Sequence, residues 1–294
     1  MKAVVTGATG FIGSALTAQL ARAGVTVYAV GRNPEKLATL ARREGVTALV
    51  DAPGHAGIPQ GVDVFFHCAF EGGFGGTALK NYALQLRNAA LACDAAAHAA
   101  ALGARKFVLA STVNTVELRS FIGSESFKPR YTCIYSAGKL AAELMGKTIA
   151  HNTGMPFCTA LIAMPYGEGN TAATLPNVVM SHLASGKRPA LIEGRNLYDL
   201  IYIGDVAGAL MAIGAKGRNF RDYYVGHREL QSFKRWIEQM RDVLAPELEL
   251  VFGEYPDSPS LDYSLLDLDA LYRDTGFECT ADFETSIRRT AEWL

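Results

Sequence analysis

The feature that most restricts this chain lies at its start. An apolar run, Ala3-Val4-Val5-Thr6, passes directly into Gly7-Ala8-Thr9-Gly10-Phe11-Ile12-Gly13, and Ile12, Leu16 and Leu20 then recur at helical spacing. Strand, glycine turn and helix start in that order define a corner with specific geometry. The glycines permit the tight turn, let backbone amides approach a bound anion and bring helix against strand, while the helix N-terminus adds partial positive charge. A pyrophosphate suits such a corner, so a dinucleotide over the end of the first strand is the first expectation.

The alternation continues. A helix from Ile12 to Ala23 leads to the apolar run Val25 to Val30, and Thr47 to Val50, Val62 to His67, Lys106 to Ala110 and Phe157 to Ala163 also read as strands. The Ala- and Leu-rich stretches from about Asn81 to Leu102 and Tyr135 to Asn152 read as helices. Alternation of this kind demands parallel strands with right-handed crossovers, and runs this dense in Val, Phe and Leu belong to strands covered on both faces. The expected fold is α/β, a doubly wound parallel sheet. After Pro165 the texture changes, with Gly167-Glu168-Gly169-Asn170, a helix from Pro176 to Ser185 and a loop from Gly186 to Pro189, which predicts a smaller α/β lobe. Leu200 to Ile203 and a helix from Asp205 to Ala215 are expected to return to the main sheet. The predicted partition is residues 1–164 plus about 198–225 for the dinucleotide domain, and about 165–197 plus 226–294 for the substrate lobe.

With 294 residues the chain can bury a sufficient core without disulfides or a structural metal. A formal net charge of -1 leaves no electrostatic footprint for nucleic acid or an anionic membrane. No apolar run reaches the roughly 18 to 20 residues that span a bilayer, and Lys2 leads straight into a strand, not into the pattern of an export leader. Cys68, Cys93, Cys133, Cys158 and Cys279 are widely spaced, with no Cys-x-x-Cys pair, so reduced thiols in a cytoplasmic protein are expected. The histidines lack metal-ligand spacing, and no metal is expected.

The second strand ends Val30-Gly31-Arg32-Asn33, where a site selective for NAD carries an acid for the ribose hydroxyls. Gly31 leaves room for a 2′-phosphate and Arg32 offers it a planar, permanently charged fork, so NADP is preferred, with NAD possible. Asp51, after the next strand, suits either the adenine amino group or a turn. Further along, Tyr135 and Lys139 stand four apart on a predicted helix and share one face. A phenol beside an ammonium can pass a proton to a carbonyl oxygen as hydride reaches the carbon, with Thr112 holding that oxygen. The reverse reaction needs the phenol lowered by about three pKa units, to which Lys139 and an oxidised nicotinamide would contribute.

Taken together, Thr6 to Gly13, His67-Cys68-Ala69, Asn88, Ser111-Thr112, Tyr135-Ser136-Ala137-Gly138-Lys139, Pro165-Tyr166-Gly167 and the terminal Ala291-Glu292-Trp293-Leu294 resemble the extended short-chain dehydrogenase/reductase family, which includes sugar-nucleotide epimerases, dehydratases and ketoreductases. The resemblance covers nearly the whole chain. It implies a Rossmann core with a smaller substrate lobe, often in a homodimer built from two long helices. Thr112, Tyr135 and Lys139 are the implied catalytic residues, with Ser111 bracing Thr112. The implied cofactor contacts are Gly7, Thr9, Gly10, Phe11, Ile12 and Gly13 in the loop, then Arg32, Asp51 and Ala52. Cys68, Ala69, Phe70, Asn88, Ala110, Tyr135, Lys139 and Pro165 complete the set. Asn88 is expected to steady a neighbouring strand or a water, or simply to be satisfied by backbone.

Departures from the family pattern narrow the reading. The dehydratases carry an Asp-Glu pair after the catalytic threonine, and here Val113-Asn114 stand instead, which disfavours a 4,6-dehydratase. Leu161 and Tyr198 occupy positions where many relatives have arginine, which weakens a diphosphate contact; Lys187, Arg188 or Arg195 are the candidates to replace it. Gly72 to Gly76 reads as a mobile loop beside the nicotinamide. A nucleotide-linked sugar is the expected small-molecule substrate and net keto reduction the expected reaction, with an epimerase that retains its cofactor as the alternative. A dinucleotide sensor without turnover is the reading from another class; such proteins often lose the Tyr or the Lys, and this chain keeps both.

Overall fold

The structure, a computed structural model, describes every residue except 51–56, 73–75, 123, 125–131 and 256–260. Asp51, Ala52 and the centre of the 72–76 glycine stretch therefore lie outside the described residues. The chain opens with β1 (Lys2–Thr6), α1 (Phe11–Arg22), β2 (Thr26–Gly31), α2 (Pro34–Ala41), β3 (Val46–Val50) and β4 (Val64–His67). It continues through α3 (Tyr82–Ala101), β5 (Phe107–Thr112), α4 (Asn114–Phe121), α5 (Thr132–Thr153) and β6 (Phe157–Ile162). Next come β7 (Met164–Tyr166), α6 (Leu175–Ala184), β8 (Leu197–Tyr198), β9 (Leu200–Tyr202), α7 (Ile203–Lys216) and β10 (Asp222–Val225). The last elements are β11 (Gln231–Ser232), α8 (Phe233–Leu244), α9 (Ala270–Thr275) and α10 (Phe283–Trp293).

Seven strands form one parallel sheet in the order β10-β6-β5-β4-β1-β2-β3. The progression β1 to β3 runs one way and β4 to β10 the other, so a crevice opens where the order reverses, at the carboxyl ends of β1 and β4. This is the Rossmann arrangement that the alternating pattern predicts. Because successive strand residues face opposite sides, Val5 and Phe66 enter the core beneath α1 and α7, while Val4 and Phe65 enter the core beneath α3 and α5. On that second side Phe65, Phe107 and Phe157 stack across three strands at 5.5 and 5.3 Å between ring centres. Ala89, Ala92, Ala96 and Ala99 let α3 lie close to them.

A third core joins α6, α8 and α10. In α8 the buried Phe233, Trp236, Ile237 and Met240 fall at the spacing of one helix face. The structure corrects one expectation here. β9 pairs with β7, not with the main sheet, and the seventh strand of that sheet is β10. The chain leaves the sheet after Ala163, whose N–H still bonds Val225; Met164 already donates to Asp199, and Pro165, which has no N–H, sits on this small outer pair, where β9 joins it. The return is made by α7, whose Val206, Leu210 and Ile213 are buried in the first core, which Ala270 and Leu271 of α9 also join.

The sheet edge behind β5 is held by charges. Glu143 of α5 is fully buried; it accepts hydrogen bonds from Ser111 of β5 and from Arg119 of α4. Arg119 also reaches Asp222 of β10 at 3.0 Å, and Lys147 meets the same carboxylate at 2.5 Å. Removing one partner of a buried pair leaves an uncompensated charge, at a cost of about 3–5 kcal/mol. Arg119→Ala should therefore lower the midpoint of thermal or urea unfolding strongly. Arg105→Ala, which breaks only the exposed contact to Asp63, should cost under about 1 kcal/mol. Equal effects of the two substitutions would refute the clamp.

Candidate active site

The glycine corner is built as its sequence requires. Gly7 has φ of +69°, and a Cβ there would lie 2.6 Å from the backbone of Ala69; a Cβ on Gly13 would lie 2.2 Å from the Gly7 carbonyl oxygen. β1, β4 and α1 thus meet at contacts that only glycine allows. Gly10 is the N-cap of α1, no side chain caps that helix, and its first turn contains no acid. A backbone cradle at an uncapped helix N-terminus fits the pyrophosphate of a dinucleotide.

A cavity of about 590 Å³ runs from this corner across the sheet ends to Tyr198 and Phe233 of the third core. Thr9, Gly10, Phe11, Ile12 and Gly13 line its start, followed by Cys68, Phe70, Ala110, Thr112, Tyr135, Lys139 and Pro165. Gly7 and Ala69 lie behind the wall as its scaffold. Arg32 stands outside the lining, its side chain two-thirds exposed and paired with Glu71. Asn88 is buried and holds the segment after β4: it accepts from Glu71 N at 2.8 Å and donates to the Glu71 carbonyl at 3.2 Å. The Asn88 side chain is thus satisfied by the backbone of a neighbouring segment, which it steadies.

Thr112, Tyr135 and Lys139 come together at the floor of the cavity. The buried Tyr135 side chain lines the cavity with Thr112 and meets Phe70 edge-on at 5.6 Å. Lys139 Nζ donates to the Ala110 carbonyl at 3.2 Å and lies 4.5 Å from the centre of the same Phe70 ring. Ser111 turns away to Glu143, which leaves Thr112 as the hydroxyl facing the tyrosine. Burial drives the Tyr135 phenol up; the nearby Thr112 hydroxyl opposes that rise and the Glu143 charge adds to it. Burial brings the Lys139 ammonium down to about 8, against the pull of Glu143 and Cys68. Burial pushes the Cys68 thiol up to about 12, although Lys139 opposes that rise.

The far half of the cavity is walled by Ile192, Leu197, Tyr198, Phe233, Leu261 and Tyr263, with Asn170, Thr171 and Glu117 among the polar groups. Tyr198 lines it, as its position in the pattern implies, and meets Phe233 edge-on at 5.7 Å. Lys187, Arg188 and Arg195 are not brought to it; Arg188 pairs with Glu254 at 3.2 Å and Arg195 with Glu193 at 3.1 Å. Lys36, Glu143 and Glu71 are among the residues that escape the sequence reading. Lys36 lines the cavity from the first turn of α2, four residues after Arg32; Glu143 repeats the Tyr135–Lys139 interval one turn further along α5; and Glu71 has no local signal at all.

Comparison with known proteins agrees with this architecture. The family model for the NAD dependent epimerase/dehydratase family matches residues 3–226. A probable dTDP-glucose 4,6-dehydratase of Sinorhizobium fredii is 29% identical over 168 residues, covering 54% of this chain and 48% of the relative. The dTDP-glucose 4,6-dehydratase 1 of Escherichia coli K12 is 26% identical over 189 residues, covering 61% and 52%. The chain thus spans about half the length of the curated relatives it matches. Among solved structures, a UDP-N-acetylglucosamine 4-epimerase from Methanobrevibacter ruminantium M1, in complex with UDP-N-acetylmuramic acid, superposes with a TM-score of 0.79 at 21% identity, over 99% of this chain and 97% of that one. The Bordetella bronchiseptica enzyme WbmF in complex with NADH gives 0.78 at 17%, over 99% and 91%. At such identities the superpositions speak for the fold, whereas the family match spans most of the chain and includes the glycine corner, Thr112, Tyr135 and Lys139. This chain belongs to the NAD dependent epimerase/dehydratase family.

Proposed function

We propose that this chain is a nicotinamide-dinucleotide-dependent oxidoreductase of the extended short-chain type that reduces a keto carbon, with a nucleotide-linked sugar as its substrate class. The observation that carries the reading is the convergence of Thr112, Tyr135 and Lys139 on the floor of one cavity that begins at the glycine corner. Gly7 to Gly13 would hold the pyrophosphate, and Lys139 the nicotinamide ribose. A bound nicotinamide supplies or accepts hydride. Tyr135 gives its proton to the substrate oxygen, and Thr112 positions that oxygen by a hydrogen bond. Because burial favours the neutral phenol, Tyr135 rests in the proton-donating form, which suits reduction. Arg32 and Lys36 favour NADP, with NAD also accepted.

The curated relatives are named as 4,6-dehydratases, but Val113 and Asn114 line the cavity where that chemistry calls for the Asp-Glu pair. An epimerase with retained cofactor is the second reading, favoured by the named epimerase among the neighbours. Residues 165–197 plus 226–294 serve as the substrate lobe in this proposal, with 261–279 leaning on the main core. Exposed Tyr82 and Leu86 on α3 and Leu144 and Met145 on α5 support a homodimer, which a mass by light scattering decides. Five free cysteines fit the reducing cytoplasm, and among the described residues no helix is long and apolar enough to cross a membrane.

Tyr135→Phe removes the proton donor and leaves the cavity's shape, so turnover should fall at least about a hundredfold while dinucleotide affinity holds. Turnover of the parent should consume reduced cofactor mole for mole. Retained activity in the variant refutes the donor, and turnover without net consumption moves the assignment to epimerase. The pH dependence has a definite sign. Lys139 loses its charge as pH rises through about 8, so dinucleotide affinity should decline across that window. A calorimetric titration series that is flat across it would remove Lys139 from the binding site.

A further inference from the structure

The end of β2 carries Arg32 and no acid, while the segment after β4 carries Glu71, and the two side chains form an ion pair. A surface pair of this kind is ordinarily loose. Here its root is fixed, because Asn88, 7% exposed, binds both the N–H and the carbonyl of Glu71, and Gln85 lies 3.4 Å behind it. The place matters for the cofactor. The adenosine ribose of a dinucleotide lies at the carboxyl end of the second strand, where an acid takes the diol and a cation takes the 2′-phosphate.

Resting on the dinucleotide reading above, we propose that Glu71 is the ribose acid, delivered from β4 instead of β2, and that the Arg32–Glu71 pair selects between NAD and NADP. With NAD, the Glu71 carboxylate accepts hydrogen bonds from the ribose hydroxyls while Arg32 stays beside it as counter-ion. With NADP, carboxylate and 2′-phosphate repel, so Arg32 exchanges Glu71 for the phosphate. Lys36, on the adjoining turn of α2, adds a second cation on that side. The pair therefore admits both cofactors, and each side chain penalises the departure of the other. No acid is needed at the end of β2, which is why its absence there does not by itself exclude NAD.

The test is a set of calorimetric titrations of the full chain with NAD and with NADP, using the parent, Glu71→Gln and Arg32→Met. Both changed side chains are at the surface, and melting temperatures without cofactor should match the parent. The parent should bind both cofactors. Glu71→Gln should bind NADP about tenfold more tightly and NAD about tenfold more weakly, the scale of one charge-assisted hydrogen bond. Arg32→Met should lose NADP affinity by about the same factor while NAD changes by less than about threefold. Glu71→Gln with a parental NADP-to-NAD ratio overturns the role of Glu71 and leaves the dinucleotide reading standing. A parent chain that binds neither cofactor overturns both.

Discussion

The bond from Ser111 to Glu143 pins the functional face of α5 to the end of β5. Tyr135, Lys139 and Glu143 follow one another at four-residue intervals on that face, so fixing the last of them sets the height of the other two. Thr112 is the next residue along β5 and lines the same cavity as Tyr135. The anchor is a carboxylate with no solvent, tolerable because Arg119 reaches it from α4 and is held in turn by Asp222. Glu143 also raises the affinity of both Tyr135 and Lys139 for protons, so the same charge that sets their position bears on their chemistry.

The opposite end of the cavity depends on contact between backbones, not on charge. Gly7 and Gly13 let β1, α1 and the Ala69 segment approach until no side chain fits between them. The uncapped start of α1 then faces the crevice created by the reversal of strand order. Two independent devices, a close-packed corner and a buried ion cluster, thus place a helix N-terminus and a phenol along one groove. Neither device draws on the third core, formed by α6, α8 and α10.

What could be read from the residues follows from how local each signal is. The strand–glycine–helix corner, the alternating elements and the Tyr135–Lys139 pair are contained within a few residues, and the corresponding elements lie within a few positions of their expected bounds. β10 was not legible because it has four residues, begins at Asp222 just after Arg218 and Arg221, and is buried by β6 and the elements packed over it. The excursion of β9 depends on pairing with β7, more than thirty positions earlier. Glu71 and Arg32 are 39 positions apart, and Ser111 and Glu143 are 32 apart; only the folded sheet brings either pair together. Arg188 and Arg195 show the converse case, since charge in a suitable stretch of sequence is spent on neighbouring glutamates.

The central claim is a geometric one, and a crystal structure of the chain with a bound nicotinamide dinucleotide tests it most directly. The account predicts the pyrophosphate over Gly10 to Gly13, Lys139 on the nicotinamide ribose, and the Tyr135 hydroxyl close to the hydride-bearing carbon, with substrate space between that carbon and Thr112. A dinucleotide seated elsewhere, or one whose nicotinamide points away from Tyr135, would contradict it.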